Sequence, residues 1–174
     1  MWNFILKIYN QETMENLMDL SIKMSVDAWH HQVSRVDKLI NELSDDDLKH
    51  EVAPGRNTGV YLLGHLAAVH DALFPLLGVG EKLHPEMEEI FIKSPDKSAH
   101  TKPTVNELRE YWQHVNKKLS EQINQFDDEQ WLQKHTSVSE EDFKKEPHRN
   151  RLNVLISRTN HLAYHFGQLA FLKR

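Results

Sequence analysis

Two histidines near the C-terminus, His161 and His165, lie four positions apart in the sequence. They lie in an apolar-periodic segment, 151–172, that predicts a helix. On a helix their side chains share one face, with Cβ atoms about 5–6 Å apart, so the two imidazoles can bind one metal ion. They could equally be packing residues that hydrogen-bond neighbouring groups. Leu162 follows His161, so the glutamate that serves as general base in zinc proteases of the H-E-x-x-H type is missing.

A third metal ligand has to come from another segment. The second predicted helix, 58–77, carries His65 and His70, which border its apolar arc on opposite sides. Periodicity does not choose between the two. Small neighbours favour His65, because Gly64 and Ala68 leave room for another helix or a ligand.

The remaining histidines are expected to have other roles. His30 and His31 lie on the first predicted helix, where packing or exposure is the expected role for both. Six others fall in loops or on polar faces and are expected to be solvated: His50, His84, His100, His114, His135 and His148.

Four amphipathic segments have to position these side chains. They predict an all-α four-helix bundle that forms a single domain over 1–174. The predicted helices cover residues 14–43, 58–77, 105–126 and 151–172. The third opens with a capping box, in which Thr104 precedes Glu107 by three residues.

A long crossover is expected between the second and third helices, over 79–103. This segment contains Gly80, Pro85, Pro95 and Pro103, which interrupt regular structure. A short amphipathic stretch near 86–92 predicts one or two helical turns within it.

Composition narrows the range of functions. The chain of 174 residues has a net charge of −5, contains 12 histidines and has no cysteine. The lack of cysteine excludes disulfides, zinc–thiolate sites and a cysteine nucleophile. No block of five or more Lys or Arg occurs, so a nucleic-acid partner is not expected.

Membrane association and export are not expected either. No run approaches the roughly 18 apolar residues that a membrane-spanning helix needs. The apolar segment 1–8 has no preceding basic region and no small-residue cleavage site, so we expect a strand-like or disordered lead-in rather than a signal peptide. The expected location is the cytoplasm.

The order and spacing of several motifs resemble the DinB-like family of bacterial four-helix proteins, over nearly the whole chain. The matching residues are Pro54-Gly55, Asn57-Thr58-Gly59, Leu63-Gly64-His65-Leu66 and His161-Leu162-Ala163-Tyr164-His165-Phe166-Gly167-Gln168. The resemblance implies a four-helix bundle of DinB-like type and a metal site formed by His65, His161 and His165.

Three imidazoles suit one divalent ion such as Zn²⁺, Ni²⁺, Fe²⁺ or Mn²⁺. Three protein ligands leave open positions for water or substrate, as in catalytic sites, and such an ion can activate a water or a thiol. Gln168 and Tyr61 lie one turn from a metal ligand and are expected to line the pocket, orient a ligand or simply pack. Gly167 is expected to allow close helix approach.

The resemblance leaves two classes of function open. Family members include transferases that use low-molecular-weight thiols, a thiol-dependent isomerase and proteins described only as metal-dependent hydrolases, all acting on small molecules. The alternative is a non-catalytic, stress-related bundle that binds a metal or small ligand. The resemblance also implies a homodimer.

Overall fold

The protein is described by a computed structural model that covers the backbone of residues 2–173 and the side chains of residues 13–173. Its helices are α1 (Trp2–Glu42), α2 (Asp45–Lys49), α3 (Gly59–Asp71), α4 (Leu73–Leu77), α5 (Val105–Ile123), α6 (Asp128–Leu132), α7 (Glu140–Lys145) and α8 (Arg151–Ala170). A π-helical turn, Glu89–Lys93, lies between α4 and α5. The described residues contain no β-strand beyond two isolated bridges.

Four long elements form the bundle: α1, α3 with α4, α5 and α8. Helix α1 packs along α8, and α3 packs against α5. The largest fully buried side chains, Trp29 and Trp112, come from α1 and α5 and both belong to the common core. The all-α bundle with a long crossover between its second and third long helices is therefore confirmed.

Helix α1 is longer than the sequence predicted. It begins at Trp2, so the expectation of a strand-like or disordered segment over 1–8 is wrong for residues 2–8, while Met1 lies outside the described residues. The apolar residues at this end lack amphipathic periodicity. However, no Gly or Pro interrupts the chain between Trp2 and Glu42, so nothing local ends the helix.

The expectation that no apolar run reaches the length of a membrane span is also wrong. Gly59–Leu77, which comprises α3 and α4, is long enough and has a mean hydropathy of 1.5. Two-thirds of it is buried inside the bundle (67%), as is usual for the central helix of a protein core.

Candidate metal centre

The structure brings His65 of α3 together with His161 and His165 of α8. The Nε2 atom of His161 lies 3.3 Å from that of His65 and 3.1 Å from that of His165. One ligand atom from each of the three rings lies within 4.8 Å of the other two, and all three residues are half-buried. Ligands at the usual Zn–N distance of about 2.0–2.1 Å and at tetrahedral angles stand about 3.3 Å apart. The two distances from His161 Nε2 fit this geometry.

Hydrogen bonds fix the tautomers of two of the rings. His65 Nδ1 lies 2.7 Å from the Phe91 carbonyl oxygen, which can only accept, so Nδ1 carries the proton. His165 Nδ1 donates to Gln168 Oε1 at 2.7 Å. In the neutral rings both Nε2 atoms therefore present lone pairs towards His161 Nε2.

His161 completes a set of donors that suits a cation. A proton on His161 Nε2 could hydrogen-bond to only one of the two Nε2 lone pairs of His65 and His165. A metal ion can accept the lone pairs of all three nitrogens. With Nε2 as ligand the proton sits on Nδ1, which is buried and has no hydrogen-bond partner among the described residues. The residues present thus fit a three-histidine metal site.

The electrostatics keep the rings neutral, as metal ligation requires. Burial, together with the smaller effects of the neighbouring His165 and His65, lowers the pKa of His161 to about 3. Burial also lowers the pKa of His65 and of His165 below the ordinary value of 6.5.

The crossover segment positions His65 through a close contact at Gly64. A Cβ atom at Gly64 would lie 2.3–2.6 Å from three ring atoms of Phe91, so only glycine admits this ring. Phe91 is fully buried and belongs to the π-helical turn. Its carbonyl oxygen accepts the hydrogen bond from His65 Nδ1. The room predicted beside His65 is therefore filled by an aromatic ring that brings a hydrogen-bond acceptor with it.

Tyr61 supports His65 by packing. Its ring stacks on the imidazole with centroids 6.1 Å apart and planes 10° apart, while its hydroxyl donates to the Ser94 carbonyl at 2.7 Å. Of the roles considered for Tyr61, the structure favours packing that joins α3 to the crossover, because the hydroxyl is already used.

The start of α3 is tied to the same crossover. Thr58 caps the helix by accepting from the Tyr61 N–H, and its own N–H donates to Asp96 Oδ2 at 2.6 Å. Burial alone would raise the Asp96 pKa, but the Thr58 N–H and Lys102 hold it below its ordinary value. The ionised carboxylate therefore fixes the turn from which α3 and His65 begin.

Gln168 contacts the His165 ring. Its Oε1 accepts from His165, and its Nε2 donates to the Tyr164 hydroxyl at 3.2 Å, which sets the orientation of the amide. The prediction for Gly167 is wrong: a Cβ atom there would meet nothing within 4 Å, so no helix approaches closely.

His70, the other candidate on α3, is kept away from the cluster by its register. It is fully buried between Trp29 and Trp112, and its Nδ1 lies 2.6 Å from Asn116 Oδ1. Burial lowers its pKa to about 4. Periodicity placed both α3 histidines at the edge of the apolar arc but gave no measure of depth.

Other histidines stay outside the cluster. His30 lies 2.9 Å from Asn124 Oδ1, and His31 is exposed. His84 is half-buried rather than solvated, with its Nε2 atom 3.4 Å from His114 Nδ1. These two line a surface cavity of about 450 Å³ that shares no residue with the three-histidine cluster.

Comparisons with known proteins identify structures with a similar fold. No curated protein is a significant match to the sequence. Among solved structures, the mycothiol-dependent maleylpyruvate isomerase aligns with a TM-score of 0.62 and 14% identity, covering 85% of this chain and 60% of that enzyme. A histidine-to-alanine mutant of an enzyme with the same name gives a TM-score of 0.62 with 13% identity and the same coverage.

The present chain thus spans less than two-thirds of the length of the enzyme it resembles. At this identity the likeness concerns the fold. A family model of the DinB superfamily matches residues 28–169, a range that includes all three clustered histidines and Gln168. The chain belongs to the DinB superfamily.

Proposed function

We propose that His65, His161 and His165 hold one divalent metal ion, and that the protein is a metal-dependent enzyme acting on a small molecule. The observation that carries the proposal is the convergence of three Nε2 atoms, two of which are held as lone-pair donors by hydrogen bonds at Nδ1. Zn²⁺, Ni²⁺, Fe²⁺ and Mn²⁺ all suit imidazole ligands.

The ligand set supports a catalytic rather than a structural ion. Structural zinc sites are closed by four protein ligands, whereas catalytic sites have three and one open position. Within the described residues, no fourth histidine and no carboxylate joins the group. An ion bound there would lower the pKa of a thiol or a water in the open position.

Of the two groups that such an ion could ionise, a thiol or a water, we favour the thiol. The described part of the chain places no carboxylate in the cluster to act as general base. A thiol with an ordinary pKa of about 8.5 needs far less help to ionise than water does. The structural similarity to a mycothiol-dependent isomerase supports the same choice.

The protein groups around the cluster have positioning roles. The Phe91 carbonyl and the Gln168 amide hold the rings of His65 and His165, and the stacked Tyr61 ring restricts His65 further. Such outer contacts fix the direction of each nitrogen and raise its basicity. A thiol that ionised in the open position would release its proton to solvent.

The experiment that tests the function has two stages. Metal content is first measured on protein purified from metal-replete cells, and less than about 0.2 ions per chain would remove the basis of the enzyme proposal, since binding of this kind is stoichiometric. The loaded protein is then incubated with low-molecular-weight thiols and an electrophile, and the products are identified by mass spectrometry. Thioether formation supports a thiol transferase, and ester or amide hydrolysis without thiol supports the hydrolase class. Metal uptake without turnover supports a non-catalytic binding protein.

We further propose a homodimer in the cytoplasm. Large apolar side chains are exposed on α1: Met14, Leu17, Met18, Leu20 and Met24. Met24 is 63% exposed and, with Ile156 of α8, lines a groove of about 390 Å³. Met14, Leu17 and Met18 line one groove, and exposed apolar patches are typical of an interface. Light scattering should give twice the monomer mass, and Met24→Lys should shift it to that of the monomer; a monomeric wild type would contradict the proposal.

A further inference from the structure

Arg158 lies on the same face of α8 as two of the clustered histidines. It precedes His161 by three residues and His165 by seven, spacings that stack side chains on one side of a helix. Side chains on a helix lean towards its N-terminus, so the His161 ring lies over the turn that carries Arg158.

Arg158 also differs from the other half-buried arginines in the described part of the chain. Arg109 pairs with Asp45, Arg149 pairs with Glu146, and Arg151 donates to the Gln130 carbonyl.

Arg158 has no hydrogen bond, ion pair or ring contact among the described residues, although burial lowers its pKa below the ordinary value. Its nitrogens are not among the buried unpaired polar atoms, so they retain access to solvent.

The partly buried guanidinium of Arg158 is destabilised as long as no anion pairs with it. Partial burial removes some of its hydration, and no carboxylate compensates for the loss. A divalent ion held by the neighbouring imidazoles would add like-charge repulsion. Both costs are offset when a ligand brings a negative group beside the guanidinium.

We propose that Arg158 binds a carboxylate of the thiol that occupies the three-histidine site, so that this thiol is an organic acid. This rests on the proposed metal site and names the substrate class for it. The planar guanidinium can hold a carboxylate through two parallel hydrogen bonds while the other end of the ligand reaches the imidazoles. Arg158 is a binding residue and takes no part in proton transfer.

The test compares two thiols of matched length, 3-mercaptopropionate and 3-mercaptopropan-1-ol, on protein loaded with Co²⁺. Their dissociation constants are measured from the thiolate-to-cobalt absorption band for the wild type, Arg158→Gln and Arg158→Lys. Arg149→Gln is the matched control, because it removes the same charge from a half-buried arginine that has a protein partner. Any direct contact between carboxylate and cobalt is present in all four proteins and cancels in the comparison.

The wild type should bind the acidic thiol more tightly than the neutral one. Arg158→Gln should weaken the acidic thiol by about 10- to 100-fold, the range for a charge-assisted hydrogen bond, and change the neutral thiol by less than about threefold. Arg158→Lys should retain part of the preference, and Arg149→Gln all of it. If Arg158→Gln does not fold, the lysine variant still has to show a selective loss for the acidic thiol.

Two results overturn the inference alone: equal affinities for both thiols in the wild type, or an equal loss for both in the Arg158 variants. A wild type that takes up no cobalt overturns the proposed metal site and this inference with it.

Discussion

Replacing Gly64 by alanine tests the link between the crossover and the metal site. The new Cβ atom would lie 2.3 Å from the Phe91 ring, where ordinary contacts begin at 3.4 Å, so the ring has to move by about 1 Å. Phe91 is 0% exposed and cannot turn into solvent. Overpacking of this kind costs about 1–3 kcal/mol.

The matched control is Gly167→Ala on α8, where the new methyl group meets nothing within 4 Å. Both variants replace glycine inside a helix, which by itself stabilises the fold by about 0.5–1 kcal/mol. Gly167→Ala should therefore raise the free energy of unfolding by that amount. Gly64→Ala should be about 1–3 kcal/mol less stable than the control, because the helix term cancels between them.

The displacement of Phe91 should also disturb His65 and so weaken metal binding. The Phe91 carbonyl accepts a hydrogen bond from His65 Nδ1. Moving Phe91 should break this bond, and losing a hydrogen bond that orients a metal ligand typically lowers metal affinity by about 10- to 100-fold. Urea unfolding of the metal-free variants and zinc titration calorimetry measure the two effects separately. A Gly64→Ala protein as stable as the control, or one that binds zinc within about threefold of the wild type, would refute the reasoning.

Three other predictions follow from the site and its surroundings. His161→Ala should abolish metal binding while circular dichroism shows unchanged helicity; loss of the fold would instead indicate a structural histidine. Gln168→Leu removes the acceptor of the His165 proton and should weaken zinc binding by about 10- to 100-fold in calorimetry, and an unchanged affinity would contradict the assigned role. His70 has a folded pKa of about 4 against 6.5 when unfolded, so the unfolded chain binds the proton first and stability falls as pH drops from 6.5 to 4. The loss is about 3 kcal/mol, and urea midpoints of His70→Phe should depend less on pH than those of the wild type; parallel pH profiles would contradict this.

Local patterns predicted α3 with α4, α5 and α8 well, but they missed the first twelve residues of α1. The Thr104–Glu107 capping box forms at the start of α5 as expected, because both halves of the motif lie within one turn. The periodicity of α8 correctly placed His161 and His165 at the edge of its buried face. These features depend on residues close in sequence, where spacing alone fixes the geometry.

Features that depend on contacts between distant segments could not be predicted. The periodicity of α3 did not separate His65 from His70, because the difference arises from what covers each ring: Phe91 and its carbonyl in one case, Trp29 and Trp112 in the other. Gly64 and Ala68 correctly predicted room beside His65, but they did not indicate that the Phe91 ring occupies it.

The short elements and the glycine on α8 illustrate the same limit. The π-helical turn at Glu89–Lys93 overlaps the stretch 86–92 where one or two turns were expected, but the sequence pattern did not indicate its type or that it packs against α3. Gly167 was interpreted as a close-packing glycine from its residue type, and only the neighbouring elements reveal that its surroundings are open.

The most direct test of the central claim is anomalous diffraction from crystals of the zinc-loaded protein. The account predicts one peak about 2.0–2.1 Å from the Nε2 atoms of His65, His161 and His165, with no fourth protein ligand. The absence of a peak between these three atoms, or a zinc ion held elsewhere, would contradict it.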